Sequence, residues 1–307
     1  MLSVIENYQL KNKNKIKDPL GDKIFYFCVY ILLAALLVIV IYPVFFVVIA
    51  SVSDPLYVNS GDLLFYPKGF TLVAYQKILE DSRIWQGYMN TIIYAVCGTI
   101  FGLAVSVPAG YALSRKDLPF RGILMGLLVF TMYFSGGLIP SYLVIQKLGL
   151  MNTRTLMIIL GTVSVYNIIL IRSFFSSSIP QELQESAEID GCSNQRFFIS
   201  IVLPLSKPIL AVVALYIAVS QWNSFFGPMI YLSDSSKYPL QLVLREMLAA
   251  TNVGTEITDP EALDLLNKLA EVIKYGIIVV STLPVVCIYP FIQKYFVKGV
   301  MIGALKG

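Results

Sequence analysis

ELQESAEIDGCSNQRFFISIVLP, residues 182–204, is the stretch on which the reading of this chain turns, because it is polar and its neighbours are not. Residues 155–171 and 208–233 carry no charged side chain, whereas 172–207 carries seven: Arg172, Glu182, Glu185, Glu188, Asp190, Arg196 and Lys207. Residues 181–190 are strong helix formers throughout. Gly191 stands where that helix should end and the chain turn, since glycine reaches the left-handed region without steric penalty. Ser193 or Asn194 can then cap a second short helix running through Phe198 and Ile201. The expected product is a helix, a tight turn and a helix, with Glu182, Glu185, Glu188 and Asp190 toward water and the aromatic pair Phe197 and Phe198 in the second half. Composition alone favours an ordinary solvated loop, since charge runs are usually wet faces.

The flanks fix the class. In 307 residues, 57% are hydrophobic and 14% charged, with a mean hydropathy of +0.73. That is the composition of a membrane protein rather than a soluble one. Six long windows contain no charge: 24–53, 84–114, 122–146, 155–171, 208–233 and 275–293. A helix crosses a bilayer core with roughly 17–25 residues, so all six qualify; the fourth does so only by borrowing flanking residues. A membrane β-barrel would need short alternating segments instead. The expectation is an all-α integral membrane protein with spans at about 24–50, 90–114, 122–144, 153–174, 208–230 and 271–291. Residues 1–23 and 294–307 are its tails, the polar pair 181–204 lies between spans four and five, and 24–293 is one transmembrane domain.

Six spans place both termini on one side. Of the 23 lysines and arginines, 14 fall on the side that holds the tails, the 115–121 loop and the polar pair; nine fall on the other. The richer side should be cytoplasmic. The pI near 8.7 reflects this asymmetry and asks for no nucleic acid. The first window is too long for a signal-peptide core and reads as a retained anchor. The lysine-rich 1–23 tail reads as a surface tail or interfacial helix that could meet anionic lipid headgroups. Cys28, Cys97, Cys192 and Cys287 show no paired spacing and read as small packing residues.

Within the spans, Tyr42-Pro43 and Pro284 should kink their helices. Gly98, Gly102, Ser106 and Gly110 recur every fourth residue, which puts them on one face as a ridge for close helix packing, rather than a direct transport surface. Ser135-Gly136-Gly137 and Pro140 should break span three. Irregular backbone at membrane depth needs protein or a water-filled cavity to satisfy it, so Gly136 and Gly137 are candidates for the wall of a pathway; a plain helix end is the alternative. Trp222-Asn223 could stack on a sugar ring and bond its hydroxyls, though tryptophan also belongs to interface belts. Residues 232–271 form the longest external segment, with a helix start at Thr258-Asp259-Pro260-Glu261, and are expected to face an extracellular binding protein.

Absences exclude other chemistry. With no histidine in the chain, His-based acid–base catalysis and His-ligated metals are excluded. The dipeptide Gly-Lys is missing, so no Walker A phosphate loop is present. None of the six windows holds an ionisable relay of the kind ion-coupled transporters commonly keep in the membrane.

Glu185-Ser186-Ala187, three residues, Gly191, nine residues, Ile201, one residue and Leu203-Pro204 resemble the EAA loop of permease subunits of binding-protein-dependent ABC importers, with Ser186 where the family usually has alanine. Residues 109–115, 120–122 and 148–153, Trp222-Asn223 and the 293–307 tail are similar to carbohydrate-uptake permeases, in particular the smaller, maltose-type subunit. The resemblance covers most of the chain, from about Tyr42 onward. It implies a bacterial cytoplasmic-membrane, multi-pass, non-enzymatic transport subunit. It implies as partners a second permease, two ATPase subunits that bind ATP and magnesium, and an extracellular or periplasmic solute-binding protein, with no cofactor or metal in this chain. In that reading Glu182, Glu185, Ser186, Ala187, Asp190, Gly191, Ile201, Leu203 and Pro204 form the ATPase-coupling loop, and a sugar or oligosaccharide is the cargo. An importer of a non-sugar solute and an ion-coupled secondary transporter are the alternatives.

Overall fold

The computed structural model describes residues 19–63, 65–251 and 269–287, and no strand occurs among them. The central element is a helix of 33 residues, Ser82–Ser114 (α4), about 50 Å long at 1.5 Å per residue. Before it come Leu20–Ser51 (α1), Pro55–Asn59 (α2) and Val73–Glu80 (α3). After it come Arg121–Tyr133 (α5), Leu138–Lys147 (α6), Arg154–Ile159 (α7), Val165–Ser178 (α8) and Gln181–Ile189 (α9). The chain continues through Asn194–Leu205 (α10), Lys207–Trp222 (α11), Phe226–Tyr231 (α12) and Leu240–Thr251 (α13). The last described helix is Leu269–Cys287 (α14).

α4 begins eight residues earlier than expected because Asp81 caps it, its side chain accepting from the Arg83 amide at 2.9 Å. The small-residue ridge explains why α4 lies at the centre. A Cβ on Gly102 would stand 2.6 Å from the Thr162 carbonyl oxygen and 2.7 Å from Ile217 Cδ1, and one on Gly110 would stand 2.6 Å from Ile171. The ridge therefore lets α8 and α11 close on α4, as a packing role requires.

By length and apolarity α1, α4 and α14 can each cross a membrane; α5 with α6, bent by 110°, and α10 with α11, bent by 80°, qualify only if each pair is taken as one span. The expected third span is thus broken, as the Ser135-Gly136-Gly137 reading anticipated: α5 ends at Tyr133 and Gly137 sits at φ +87°. The fourth window is not one helix either. Gly161, at φ +74°, divides it into α7 and α8, and Gln221 Nε2 donates to the Leu160 carbonyl at 3.0 Å. That side chain satisfies backbone freed by the break, as irregular structure inside a membrane protein requires. The fifth window ends its first helix at Trp222 and resumes at Phe226. α1 and α14 run unbroken through Pro43 and Pro284.

The described part of the 232–271 segment, expected to be external, is built into the bundle. Leu240, Leu242, Val243 and Leu244 are buried, and a Cβ on Gly87 would lie 3.0 Å from Leu240 Cα. Asn90 Nδ2 donates to the carbonyls of Ser236 and Tyr238 at 2.9 and 3.0 Å, and Thr91 Oγ1 accepts from the Leu240 amide at 2.8 Å. The expected helix start at Thr258, residues 1–18 of the N-terminal tail and the whole 294–307 tail lie outside the described residues, and α1 begins at Leu20, inside the expected 1–23 tail.

Candidate functional site

The polar pair folds as the sequence predicts, and the reason is visible bond by bond. At the end of α9 the Gly191 amide donates to the Glu188 carbonyl at 3.0 Å and the Cys192 amide to the Ala187 carbonyl at 2.8 Å. With Gly191 at φ +74°, this is the double-bonded left-handed helix end that glycine makes cheap. Ser193 Oγ then accepts from the Arg196 amide at 3.3 Å and caps α10.

Inside α10 the residues Phe198–Val202 widen into a π turn, in which the Leu203 amide reaches back to the Phe198 carbonyl. Pro204 follows directly, and proline removes the donor an α-helix would need at that point. A bulge of this kind inside a helix is frequently found at functional sites.

One face of the pair is a packing face. Ala187, Phe197 and Val202 are buried in a cluster with Val107 of α4, Ile171 and Phe175 of α8 and Ile209 and Val213 of α11; Leu183, Cys192, Ile201 and Leu203 pack against it. The Tyr111 ring stands 4.8 Å from that of Phe198. The opposite face is open. Glu182, Glu185, Ser186, Asp190, Gly191 and Pro204 are exposed. Glu185 Oε1 accepts from Gln181 Nε2 at 2.8 Å, and Ser186 Oγ donates to the Glu182 carbonyl at 2.8 Å. Nothing lies within 4 Å of the place a Cβ on Gly191 would take.

Sequence reasoning passed over Ile189. Its side chain is 87% exposed at the tip of the pair, between Glu188 and Asp190, with no internal partner to justify an isoleucine there. The signal was an apolar residue in the last turn that lies off the face carrying Leu183 and Ala187. Arg115 was also passed over: its side chain is 11% exposed and pairs with Asp117 at 2.8 Å and with Glu188 at 3.6 Å. The hydrogen bonds between Arg115 and Asp117 hold the guanidinium pKa above its usual value and the Asp117 carboxyl below its own.

The remaining candidates are not assembled with the pair. Gly136 and Gly137 are exposed at the α5–α6 break. Trp222 is 8% exposed; its indole donates to the Ser281 carbonyl at 3.1 Å and ties α11 to α14. Asn223 is exposed, with its amide donating to the Val219 carbonyl at 2.9 Å. No cluster of His, Cys, Asp or Glu among the described residues could hold a metal.

The family model for the binding-protein-dependent transport system inner membrane component matches residues 15–302. The chain belongs to this family. It is 37% identical to protein LplC of Bacillus subtilis (strain 168), over 94% of this chain and 96% of that protein. It is 36% identical to the polygalacturonan/rhamnogalacturonan transport system permease protein YtcP of the same organism, over 93% and 99%, and 28% identical to the arabinooligosaccharides transport system permease protein AraQ of Halalkalibacterium halodurans, over 88% and 92%. Among solved structures it is similar, with a TM-score of 0.82 and 33% identity over 91% of this chain and 99% of the other, to a chain of a bacterial ABC transporter involved in the import of the acidic polysaccharide alginate. This permease is therefore an integral membrane component of the carbohydrate ABC importer type and not an enzyme; ATP hydrolysis resides in partner subunits. The secondary-transporter alternative falls with that membership.

Proposed function

We propose that this permease carries a sugar or oligosaccharide across the bacterial cytoplasmic membrane as one half of a translocation pathway. It pairs with a second permease, two ATPase subunits and a solute-binding protein. The pair α9–α10 faces the cytoplasm and docks on an ATPase, in a six-span chain with both termini on that side. The excess of lysine and arginine on the side of the pair supports this orientation. The observation that carries the docking is Ile189, a large apolar side chain held in water at the tip of a rigid turn. An exposed anchor of this kind is best explained by a pocket on a partner that covers it. The relatives named for polygalacturonan, arabinooligosaccharides and alginate support an oligosaccharide over a non-sugar solute. The α5–α6 break at Gly136-Gly137, together with Asn223, supplies wall for the pathway, and Trp222 supports it from behind by packing.

The test is co-expression of this chain with its genomic neighbours, affinity purification, and an assay for vanadate-sensitive ATP hydrolysis. The wild-type chain should bring down an ATPase. Ile189→Asp should keep its expression and melting behaviour and lose most of the bound ATPase, because truncating a central apolar anchor costs about 2 kcal/mol or more, roughly thirtyfold in affinity. ATPase retained at the wild-type level by Ile189→Asp would remove the pair from the docking surface. With the complex in hand, oligogalacturonides, alginate oligomers and neutral oligosaccharides can be compared for stimulation of hydrolysis through the binding protein.

A further inference from the structure

The loop that follows α4 reaches the acidic face of α9 at two points, although 65 residues separate Lys116 from Gln181. Lys116 Nζ donates to Gln181 Oε1 at 2.9 Å, and the same Gln181 side chain donates through Nε2 to Glu185 Oε1 at 2.8 Å. One turn further along, Glu188 pairs with Arg115. That guanidinium is itself fixed: Nε and Nη2 donate to the two Asp117 carboxylate oxygens at 2.8 Å each, and Nη1 donates to the Tyr111 hydroxyl at 3.3 Å. Tyr111, on the last turns of α4, packs against Phe198 of α10 with its ring tilted by 34°. Arg172 Nε closes the frame from α8 by donating to the Leu113 carbonyl at 3.1 Å.

We infer that Lys116 and Arg115 are positioning residues for the ATPase-docking pair: the loop after α4 holds Gln181, and through it the Glu185 carboxylate, so that the pair moves with α4 and not only with α11. This inference rests on the docking reading above. Its physical content is a polar connection added to an apolar one. The chain joins the pair to α8 through Ile179-Pro180 and to α11 through the 80° bend, and the cluster of Ala187, Phe197 and Val202 already packs with Val107 of α4, but apolar packing alone leaves the acidic face of α9 without a directional tie to α4. The polar contacts from 115 and 116 tie α9 to the end of α4 itself. The Lys116–Gln181 contact is exposed and contributes little to overall stability, so the fold should survive its loss while the presentation of Glu185 and Ile189 to a partner does not.

The experiment is a double-mutant cycle on the assembled permease pair in nanodiscs, titrated with the purified ATPase subunit. Lys116→Met and Gln181→Leu should each weaken ATPase binding about two- to fivefold, and the double variant should be no weaker than Gln181→Leu, because that change already removes the contact Lys116→Met removes, together with the one to Glu185. Lys116→Arg should restore near-wild-type affinity. The rate at which a membrane-impermeant maleimide modifies Cys192, which packs beneath the turn, should rise in the two single variants and not in Lys116→Arg. Wild-type affinity in both single variants, or losses that simply add in the double variant, would overturn the brace. Failure of the wild-type pair to bind any ATPase would instead overturn the docking reading on which it stands.

Discussion

At Gly191 the backbone holds φ +74° with open space where a Cβ would stand, so a side chain there acts through the torsion and not through a collision. A β-branched residue pays the most in that region: the left-handed conformation costs an ordinary L-residue about 1–2 kcal/mol, whereas asparagine visits it readily. Gly191→Val is therefore expected to unwind the end of α9, displace Ile189 and release the ATPase, while Gly191→Asn keeps most of the binding. Co-purification of the ATPase with the two variants side by side measures this. Equal retention by both would mean that the turn is not what presents the tip. The same comparison separates torsion from bulk, since valine and asparagine are close in size.

At the scale of elements, α4 is held by close approach. A Cβ on Gly102 meets a backbone oxygen, the Thr162 carbonyl, as well as the movable end of Ile217. The oxygen cannot step aside without shifting the segment between α7 and α8. Gly102→Ala is expected to destabilise the bundle by about 1–3 kcal/mol, the usual cost of overpacking. Gly21→Ala, with nothing within 4 Å, should be neutral or slightly favourable on helix propensity alone. Thermal melting of both variants in detergent should show a fall of several degrees for the first and none for the second. A melt for Gly102→Ala that overlays the wild type would mean that α4 and the Thr162 segment are not packed this closely. The ridge was legible in the sequence because a four-residue period on one helix is a local pattern, and so were the Gly191 turn, the Ser193 cap and the break before Pro140. What stayed hidden was whatever depended on a distant partner. The break at Gly161 sits in an uncharged window and makes sense only once Gln221 is seen to satisfy Leu160. α13 read as loop because its support comes from Asn90 and Thr91, about 150 residues away. Ile189 and Arg115 are ordinary residues by composition, and only their exposure and their partners make them candidates.

Across the described residues, α1 and the α5–α6 break leave different demands on their surroundings. The 18 most apolar residues of α1 have none buried within the chain, which a bilayer or a second permease can satisfy without further help. The α5–α6 hairpin is another matter. Phe134, Ser135, Gly136 and Gly137 are non-helical and exposed; the Phe134 amide donates to the Phe130 carbonyl and the Gly137 carbonyl accepts from Ser141, but lipid cannot hydrogen-bond the groups that a helix break frees between them. A polar cavity or a neighbouring protein has to meet them. If the hairpin lines a pathway shared with a second permease, its backbone should exchange slowly only in the assembled pair. Hydrogen exchange at 134–137 is expected to be fast in the isolated chain in detergent and markedly slower when the cognate permease is co-expressed. The melting point should rise with it, as for any partner that binds the folded state alone. Protection confined to α1 on pairing, with 134–137 exchanging as fast as before, would place the second permease on the α1 side and leave the break facing water by itself. In that outcome the Gly136-Gly137 wall would belong to a vestibule formed by this chain, and substitutions there would be expected to alter passage without altering assembly.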